Sequence, residues 1–198
     1  MGFLSVLSFA HKLVAERLGN TAGVPAIAVD ATAGTGADTL MLALTAGAGG
    51  QVYSFDIQQQ ALDRTQERLA RYEHPDRLAR TELVLDSHDR MAEHIPVELH
   101  GRLQAVMFNL GYLPAGDTSV ITRPESTLPA LTASLELLAV KGILTIVLYP
   151  GHPGGAEEAD AVQDWASSLP TSAAQCIVYR QLQRSDAPYL IAIEKKQV

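Results

Sequence analysis

The chain has 198 residues, of which 47% are hydrophobic and 19% charged, a composition typical of a globular domain rather than a disordered chain. The formal net charge of −7 excludes a surface that is basic throughout, so contact with nucleic acid would need a local basic patch. The one cysteine, Cys176, excludes a disulfide framework, and its apolar neighbours predict a reduced core residue in a cytoplasmic protein.

The N-terminal run MGFLSVLSFAHKL lacks the positive segment of a signal peptide, and its apolar spacing predicts a helix over residues 3–18 instead. Gly19 and Asn20 then supply a stop signal. The longest apolar stretch, LELLAVKGILTIVLYP, is interrupted by Glu136, Lys141 and Gly142. We therefore predict no membrane-spanning segment.

After this helix, short apolar runs alternate with amphipathic runs. Strands are predicted at 26–31, 51–56, 81–86, 103–110 and 142–150, with helices at 38–47, 57–72, 124–140 and 157–169. Two further strands, 174–182 and 188–196, have no helix between them and should pair as an antiparallel hairpin. The alternation predicts one doubly wound α/β domain over residues 1–198, with a mostly parallel sheet.

The segment VDATAGTGADT follows the first predicted strand and contains a G-x-G pair, Gly34 and Gly36. Glycines in this position let the chain turn tightly and let a ligand approach the backbone. Thr39 stands where a dinucleotide-binding fingerprint has its third glycine, which weakens the interpretation as a nicotinamide-dependent oxidoreductase. The other candidate cofactor-binding residues of this segment are Asp30, Thr32, Asp38 and Thr39 itself.

The second and third predicted strands end in acidic residues. Asp56 lies at a position where a carboxylate could accept hydrogen bonds from the two vicinal hydroxyls of a ribose. The alternative is that Asp56 only caps the next helix. Asp86, Ser87 and His88 end the third strand at the same edge of the sheet. Asp86 or its neighbours could accept a hydrogen bond from an adenine amino group, and a plain capped loop is the alternative.

The fourth predicted strand ends in the segment NLGYLP, which begins at Asn109. This segment resembles the [ND]-P-P-[YF] motif of amino-directed methyltransferases, although Leu110 and Gly111 replace the two prolines. In those enzymes the side-chain oxygen and a backbone carbonyl accept hydrogen bonds from the target amine. A structural asparagine in a turn is the alternative.

Five segments occur together in the order DATAGTGADT, FDIQ, DSH, NLGYLPAGD and YPGHPGG. In this order the chain resembles a small bacterial rRNA methylase family that includes the tRNA wobble-uridine aminomethyl methyltransferases. The resemblance implies a Rossmann-like class I methyltransferase fold with a seven-stranded sheet, and S-adenosylmethionine as methyl donor. It also implies a tRNA anticodon loop as substrate, a homodimer, and cofactor contacts by Ile57, Gln58 and Leu110.

Three residues are candidates for the catalytic site. Asn109 would orient the target amine, and Tyr112 would stack on the flipped-out uracil, with core or lid packing as its alternative. His152, in YPGHPGG, would contact the RNA or help to remove the amine proton. A loop histidine that is hydrogen-bonded to the backbone is the alternative for His152.

Arg64, Arg68 and Arg71 fall on one face of the helix predicted over 57–72. They could hold RNA phosphates, but a solvated face paired with acidic neighbours is favoured. The histidine spacing matches no standard metal-ligand set, so we predict no metal site. Three other functions stay open: an rRNA or small-molecule methyltransferase, a nicotinamide-dependent oxidoreductase, and a non-catalytic RNA-binding module.

Overall fold

A computed structural model describes residues 2–20, 23–111, 113 and 121–196. The helices are α1 (Val6–Leu18), α2 (Ala37–Ala46), α3 (Gln59–Ala70), α4 (Met91–His94), α5 (Pro124–Leu137) and α6 (Gly155–Ser168). The strands are β1 (Ile27–Asp30), β2 (Gln51–Asp56), β3 (Arg80–Leu85), β4 (Leu103–Asn109), β5 (Leu138–Leu148), β6 (Ala174–Tyr179) and β7 (Tyr189–Lys195). None of the helices described is long and apolar enough to cross a membrane.

The seven strands form one sheet in the order β3-β2-β1-β4-β5-β7-β6. Strands β1 to β5 are parallel, and β7 runs antiparallel to both β5 and β6. The predicted doubly wound α/β fold and its antiparallel C-terminal hairpin are thus confirmed. Because all five parallel strands point the same way, their carboxyl ends meet at one edge of the sheet.

The core consists of two apolar layers, one on each face of the sheet, and β4 contributes to both. Ala105 and Met107 pack with α1 and α2, whereas Val106 and Phe108 pack with α5 and α6. Alternate residues of a strand point to opposite faces, so an almost continuously apolar strand is buried on both sides. An ion pair between Arg17 and Glu194 also joins α1 to β7.

Two predicted boundaries were wrong for reasons visible in the backbone. The first helix begins at Val6 rather than residue 3, because the Ser5 hydroxyl caps it by accepting a hydrogen bond from the Ser8 N–H. Residues 138–140 were predicted to be helical but open β5, where Leu138 pairs with Leu103 across an irregular register. Lys141, within this irregular stretch, has a positive φ of 66°.

The prediction of a core cysteine was also wrong, since Cys176 is exposed. It lies on β6, which forms an edge of the sheet and is exposed from Gln175 to Val178. An apolar run indicates a strand, but it does not reveal whether that strand is central or at an edge.

Candidate active site

The glycine loop between β1 and α2 has a backbone that only glycine adopts without strain. Gly34 and Gly36 have φ values of 53° and 75°. A Cβ atom on Gly36 would lie 2.7 Å from the Cα atom of Thr65 on α3. The loop is therefore held close to α3, with its N–H groups near the carboxyl ends of β1 and β2.

Asp30, the last residue of β1, stabilises the conformation of this loop. It is fully buried, and its two oxygens accept hydrogen bonds from the Thr32 N–H (3.1 Å) and the Thr39 hydroxyl (2.6 Å). Burial and the nearby charge of Asp38 raise the pKa of Asp30 to about 7. A direct contact of Asp30 or Thr39 with a cofactor stays a prediction, because both side chains bond within the protein.

Asp56 contacts the loop from the neighbouring strand. One oxygen accepts the Gly34 N–H (3.0 Å) and the other accepts the Gln58 N–H (2.9 Å). The carboxylate thus bonds the backbone at the start of α3 and in the glycine loop, and its predicted contact with ribose hydroxyls stays a prediction. Next to it, the Ile57 side chain is 57% exposed, which leaves an apolar surface beside the carboxylate.

The residues after β3 are mainly bonded to one another. Asp86 accepts hydrogen bonds from His94 (2.8 Å) and the Ser87 N–H (2.8 Å), and these bonds lower the pKa of Asp86. His88 is buried with its Nδ1 3.3 Å from the Ala31 carbonyl oxygen, and burial lowers its pKa. Its Nε2 has no hydrogen-bond partner among the residues that the structure describes. The adenine role stays a prediction.

Asn109 ends β4 with every polar group of its side chain engaged. Its amide Nδ2 donates to Asp38 (3.1 Å), and its Oδ1 accepts from the Tyr149 hydroxyl (2.8 Å). Its backbone N–H donates to the Thr32 hydroxyl (2.8 Å). Burial raises the pKa of Tyr149, so that its hydroxyl remains a donor. Asp38 also bonds His11 Nε2 on α1 (2.6 Å).

Sequence reasoning missed Tyr149 and His11. Tyr149 directly follows β5 and opens the YPGHPGG segment, so the argument that selected its neighbour His152 could also have found it. No sequence signal singled out His11, because α1 precedes the alternating pattern. Its position beside Asp38 depends on how α1 packs against the sheet.

The segments after β4 and β5 lie against each other. Leu110 is buried and its N–H donates to the Val147 carbonyl oxygen (2.9 Å). A Cβ atom on Gly111 would lie 3.6 Å from His152 Nε2, so the histidine borders the end of β4. His152 Nδ1 is 2.9 Å from the Pro153 carbonyl oxygen, as in the backbone-bonded alternative. Tyr112, the predicted stacking residue, lies outside the described residues.

The buried carboxylate of Glu158, on α6, holds the segment that follows β4 in place. Glu158 is 2% exposed and accepts hydrogen bonds from the hydroxyls of Thr122 (2.6 Å) and Thr127 (2.7 Å). The Thr122 hydroxyl in turn accepts the Gly111 N–H (2.9 Å). Glu158 therefore joins α6 to α5 and to the residue two positions beyond Asn109.

Of the arginines in and just after α3, one is paired with an acidic neighbour, as the favoured interpretation predicted, and another bonds the backbone of the glycine loop. Arg71 pairs with Glu67 at 3.1 Å, and Arg68 Nε donates to the Thr35 carbonyl oxygen at 2.7 Å. A cavity of about 520 Å³ lies beside these residues and Arg64. Among the described residues, no group of three or more His, Cys, Asp or Glu side chains could hold a metal ion. The absence of a metal site stays a prediction.

The site has features that fit S-adenosylmethionine: left-handed glycines that leave the backbone open, a carboxylate on the neighbouring strand, and an exposed apolar side chain beside it. Together with the sheet order and the antiparallel β7, they define the class I methyltransferase fold. A family model described as "Putative rRNA methylase" matches residues 52–194. The chain belongs to this rRNA methylase family.

Two solved structures cover nearly the whole chain. A Clostridium thermocellum protein described as a "putative rRNA-methylase" is 34% identical, covers 98% of this chain and 100% of its own, and has a TM-score of 0.89. A Streptococcus mutans protein described as a "putative methyltransferase", solved in complex with SAH, is 31% identical with coverages of 98% and 99% and a TM-score of 0.81. These relatives support S-adenosylmethionine as the cofactor.

One curated relative is the chloroplastic tRNA (mnm5s2U34)-methyltransferase of Arabidopsis thaliana. It is 38% identical over 174 residues, which are 85% of this chain. The chain spans 63% of the length of that relative.

Proposed function

We propose that this protein is an S-adenosylmethionine-dependent RNA methyltransferase that methylates the 5-aminomethyl group of a wobble uridine in tRNA. The observation that carries the proposal is the amide of Asn109, held by Asp38 and Tyr149 at the sheet edge that also carries the glycine loop. The Arabidopsis relative, named for a wobble-uridine reaction, supports the choice of substrate.

The glycine loop, Asp56 and Ile57 would hold the cofactor, which supplies an electrophilic methyl group when bound. The remaining task of the site is to present a neutral amine in line, and such positioning can contribute about 7–11 kcal/mol to a rate enhancement. The Oδ1 atom of Asn109 has a second lone pair that can accept an amine N–H. Accepting that bond turns the nitrogen lone pair away from Asn109.

His152 and Tyr112 complete the proposed acceptor site. His152 borders the end of β4, where it can contact the RNA or accept the amine proton. Tyr112 would stack on the uracil, as aromatic side chains do on unpaired bases. Asn109 itself is an orienting group rather than a base.

An acidic chain that binds RNA needs a local basic region, and we propose residues 64–80 for it, although Glu67, Glu73 and Asp76 lie in the same segment and Arg71 pairs with Glu67. Five arginines fall in this short segment of a chain whose formal charge is −7: Arg64, Arg68, Arg71, Arg77 and Arg80. We also propose a homodimer located in the cytoplasm, as the family resemblance and the cysteine usage suggested.

The test uses labelled S-adenosylmethionine and total RNA from a strain that lacks this protein. After size separation and digestion, mass spectrometry identifies the labelled nucleoside. Label in tRNA as a methylaminomethyl uridine is the expected result. Label in rRNA, the substrate that the family description favours, would replace the proposed substrate. Absence of S-adenosylmethionine binding by calorimetry would overturn the proposed activity.

A further inference from the structure

Four side chains from four different parts of the fold form one hydrogen-bonded chain. His11 on α1 bonds Asp38 on α2 (2.6 Å), Asp38 bonds Asn109 at the end of β4 (3.1 Å), and Asn109 bonds Tyr149 after β5 (2.8 Å). These hydrogen bonds connect the N-terminal helix α1, which carries no recognised motif, to Asn109, the residue proposed to orient the amine.

The chemistry of the partners decides which way the Asn109 amide faces. An ionised carboxylate can only accept, so the amide presents its Nδ2 group to Asp38. On the other side of the amide, the Tyr149 hydroxyl donates a hydrogen bond, which only the amide oxygen Oδ1 can accept. If the amide rotated by half a turn, its oxygen would face the Asp38 carboxylate, and a lone-pair clash would replace a hydrogen bond.

His11 compensates the charge of Asp38. Asp38 is 7% exposed, and a carboxylate in such surroundings needs donors or a positive partner. The hydrogen bond to Asp38 raises the pKa of His11, and the charges of Asp38 and Asp30 act in the same direction against burial. Among the described residues, the charged groups that raise the pKa of His11 are Asp38 on α2, which it contacts, and Asp30 on β1, and the Tyr149 hydroxyl lies at the far end of the hydrogen-bonded chain.

We propose that His11 and Asp38 are positioning residues for methyl transfer: together they hold the Asn109 amide with its oxygen toward the acceptor amine. This inference rests on the proposed function, since it assigns Asn109 the role of orienting an amine. His11 does not contact the substrate. It holds Asp38 in place through their hydrogen bond, and Asp38 orients Asn109.

The kinetic test compares His11→Ala, His11→Gln and the control Lys12→Ala, whose side chain is exposed on the same helix. Loss of one charge-assisted hydrogen bond should lower kcat about tenfold in His11→Ala while the Kd for S-adenosylmethionine changes less than about twofold. Gln retains an N–H donor and should recover part of kcat. Lys12→Ala should match the wild type.

The pH profile separates positioning from a merely structural contact. The ratio of kcat in the wild type to kcat in His11→Gln should decline as pH rises through the raised pKa of His11, because only the wild type then loses the positive partner of Asp38. The requirement for a neutral amine applies to both proteins and cancels in this ratio. A kcat of His11→Ala equal to that of the wild type, or a ratio that does not change with pH, would overturn the inference.

A measurement without substrate distinguishes this inference from the proposed function. NMR of labelled protein follows the Asn109 side-chain amide and the titration of His11. In His11→Gln the amide resonances of Asn109 should shift, and in Asp38→Asn the pKa of His11 should fall toward its ordinary value. If tRNA is not methylated but these shifts occur, the proposed substrate is wrong, whereas the coupling of His11 to Asn109 through Asp38 is supported. If the Asn109 resonances do not shift in His11→Gln, His11 does not act on Asn109, and this inference is wrong even if the enzyme methylates tRNA.

Discussion

At the scale of single residues, the proposed chemistry depends on the orientation of one amide. Asn109 is held from the side by Asp38 and Tyr149 and through its backbone by Thr32. All of its partners belong to elements that meet at the carboxyl edge of the sheet. The amide is therefore preorganised before any substrate arrives, which lowers the cost of ordering the acceptor.

Replacement of Asn109 by Ala tests this role directly. We expect kcat to fall on the order of 100-fold because the amine loses its orienting acceptor, while S-adenosylmethionine still binds. Single-turnover methylation and calorimetry measure the two effects. Asn20→Ala, at an exposed asparagine after α1, is the matched control. Equal losses of binding and turnover would show that Asn109 serves the cofactor instead.

The buried carboxyl of Asp30 should make stability depend on pH. Its folded pKa of about 7 lies above the ordinary value of 3.8, so the folded state binds the extra proton. The stabilisation by this proton is complete below the unfolded pKa and is lost as pH rises toward 7. Asp30→Asn cannot ionise and should gain stability relative to the wild type as pH rises through this range.

Urea unfolding of both proteins at several pH values measures that difference. Asp63→Asn, at an exposed carboxylate on α3, is the control. A difference in the free energy of unfolding between wild type and Asp30→Asn that is the same at all pH values would contradict the burial argument.

At the scale of elements, a close contact with α3 fixes the position of the glycine loop, the proposed cofactor-binding segment. Gly36 has a left-handed backbone and faces Thr65 at a distance that leaves no room for a Cβ atom. Because the contact is with the backbone of Thr65, a smaller side chain at that position would not relieve it. The loop and the helix must therefore move apart if any side chain is introduced.

Two glycine substitutions separate the steric contact from the backbone strain. Gly34→Ala introduces a Cβ atom with no neighbour closer than 3.6 Å, so it should cost about 1 kcal/mol of unfolding free energy from its positive φ alone. Gly36→Ala adds the overlap with Thr65 and should cost about 3 kcal/mol in total. Chemical denaturation gives both values. Equal costs would mean that the loop relaxes freely away from α3.

At the scale of the whole molecule, β6 leaves one edge of the sheet open. Its side chains from Gln175 to Val178 are exposed, including Ile177 at 43% and Val178 at 51%. An exposed edge strand with apolar side chains is a surface on which another chain can pair. We therefore place the proposed homodimer contact at β6.

Light scattering over a range of protein concentrations tests this placement. The wild type should have the mass of a dimer, and Ile177→Lys should shift it toward the monomer because a charge would be buried in the contact. Leu182→Lys, at a side chain that is 88% exposed beyond β6, is the control. A wild-type monomer at all concentrations would exclude the homodimer.

The local patterns of the sequence were sufficient to predict most of the sheet. Strand β2 occupies the predicted residues 51–56, and the alternation of strands and helices predicted parallel crossovers. These features depend on periodicity and on glycine chemistry, which act over a few residues. The start of β5 was mispredicted because Leu138 is paired with Leu103, a contact that is distant in the chain.

For the site, the sequence by itself determined the glycine loop and the polar ends of β2, β3 and β4, since these residues directly follow strands whose direction is predictable. Only the tertiary structure decided that His11 lies beside Asp38 and that Tyr149 donates to Asn109. The exposure of Cys176 was decided in the same way, by the position of β6 at an edge. Such contacts depend on the order of strands and the packing of helices, which a single run of residues does not encode.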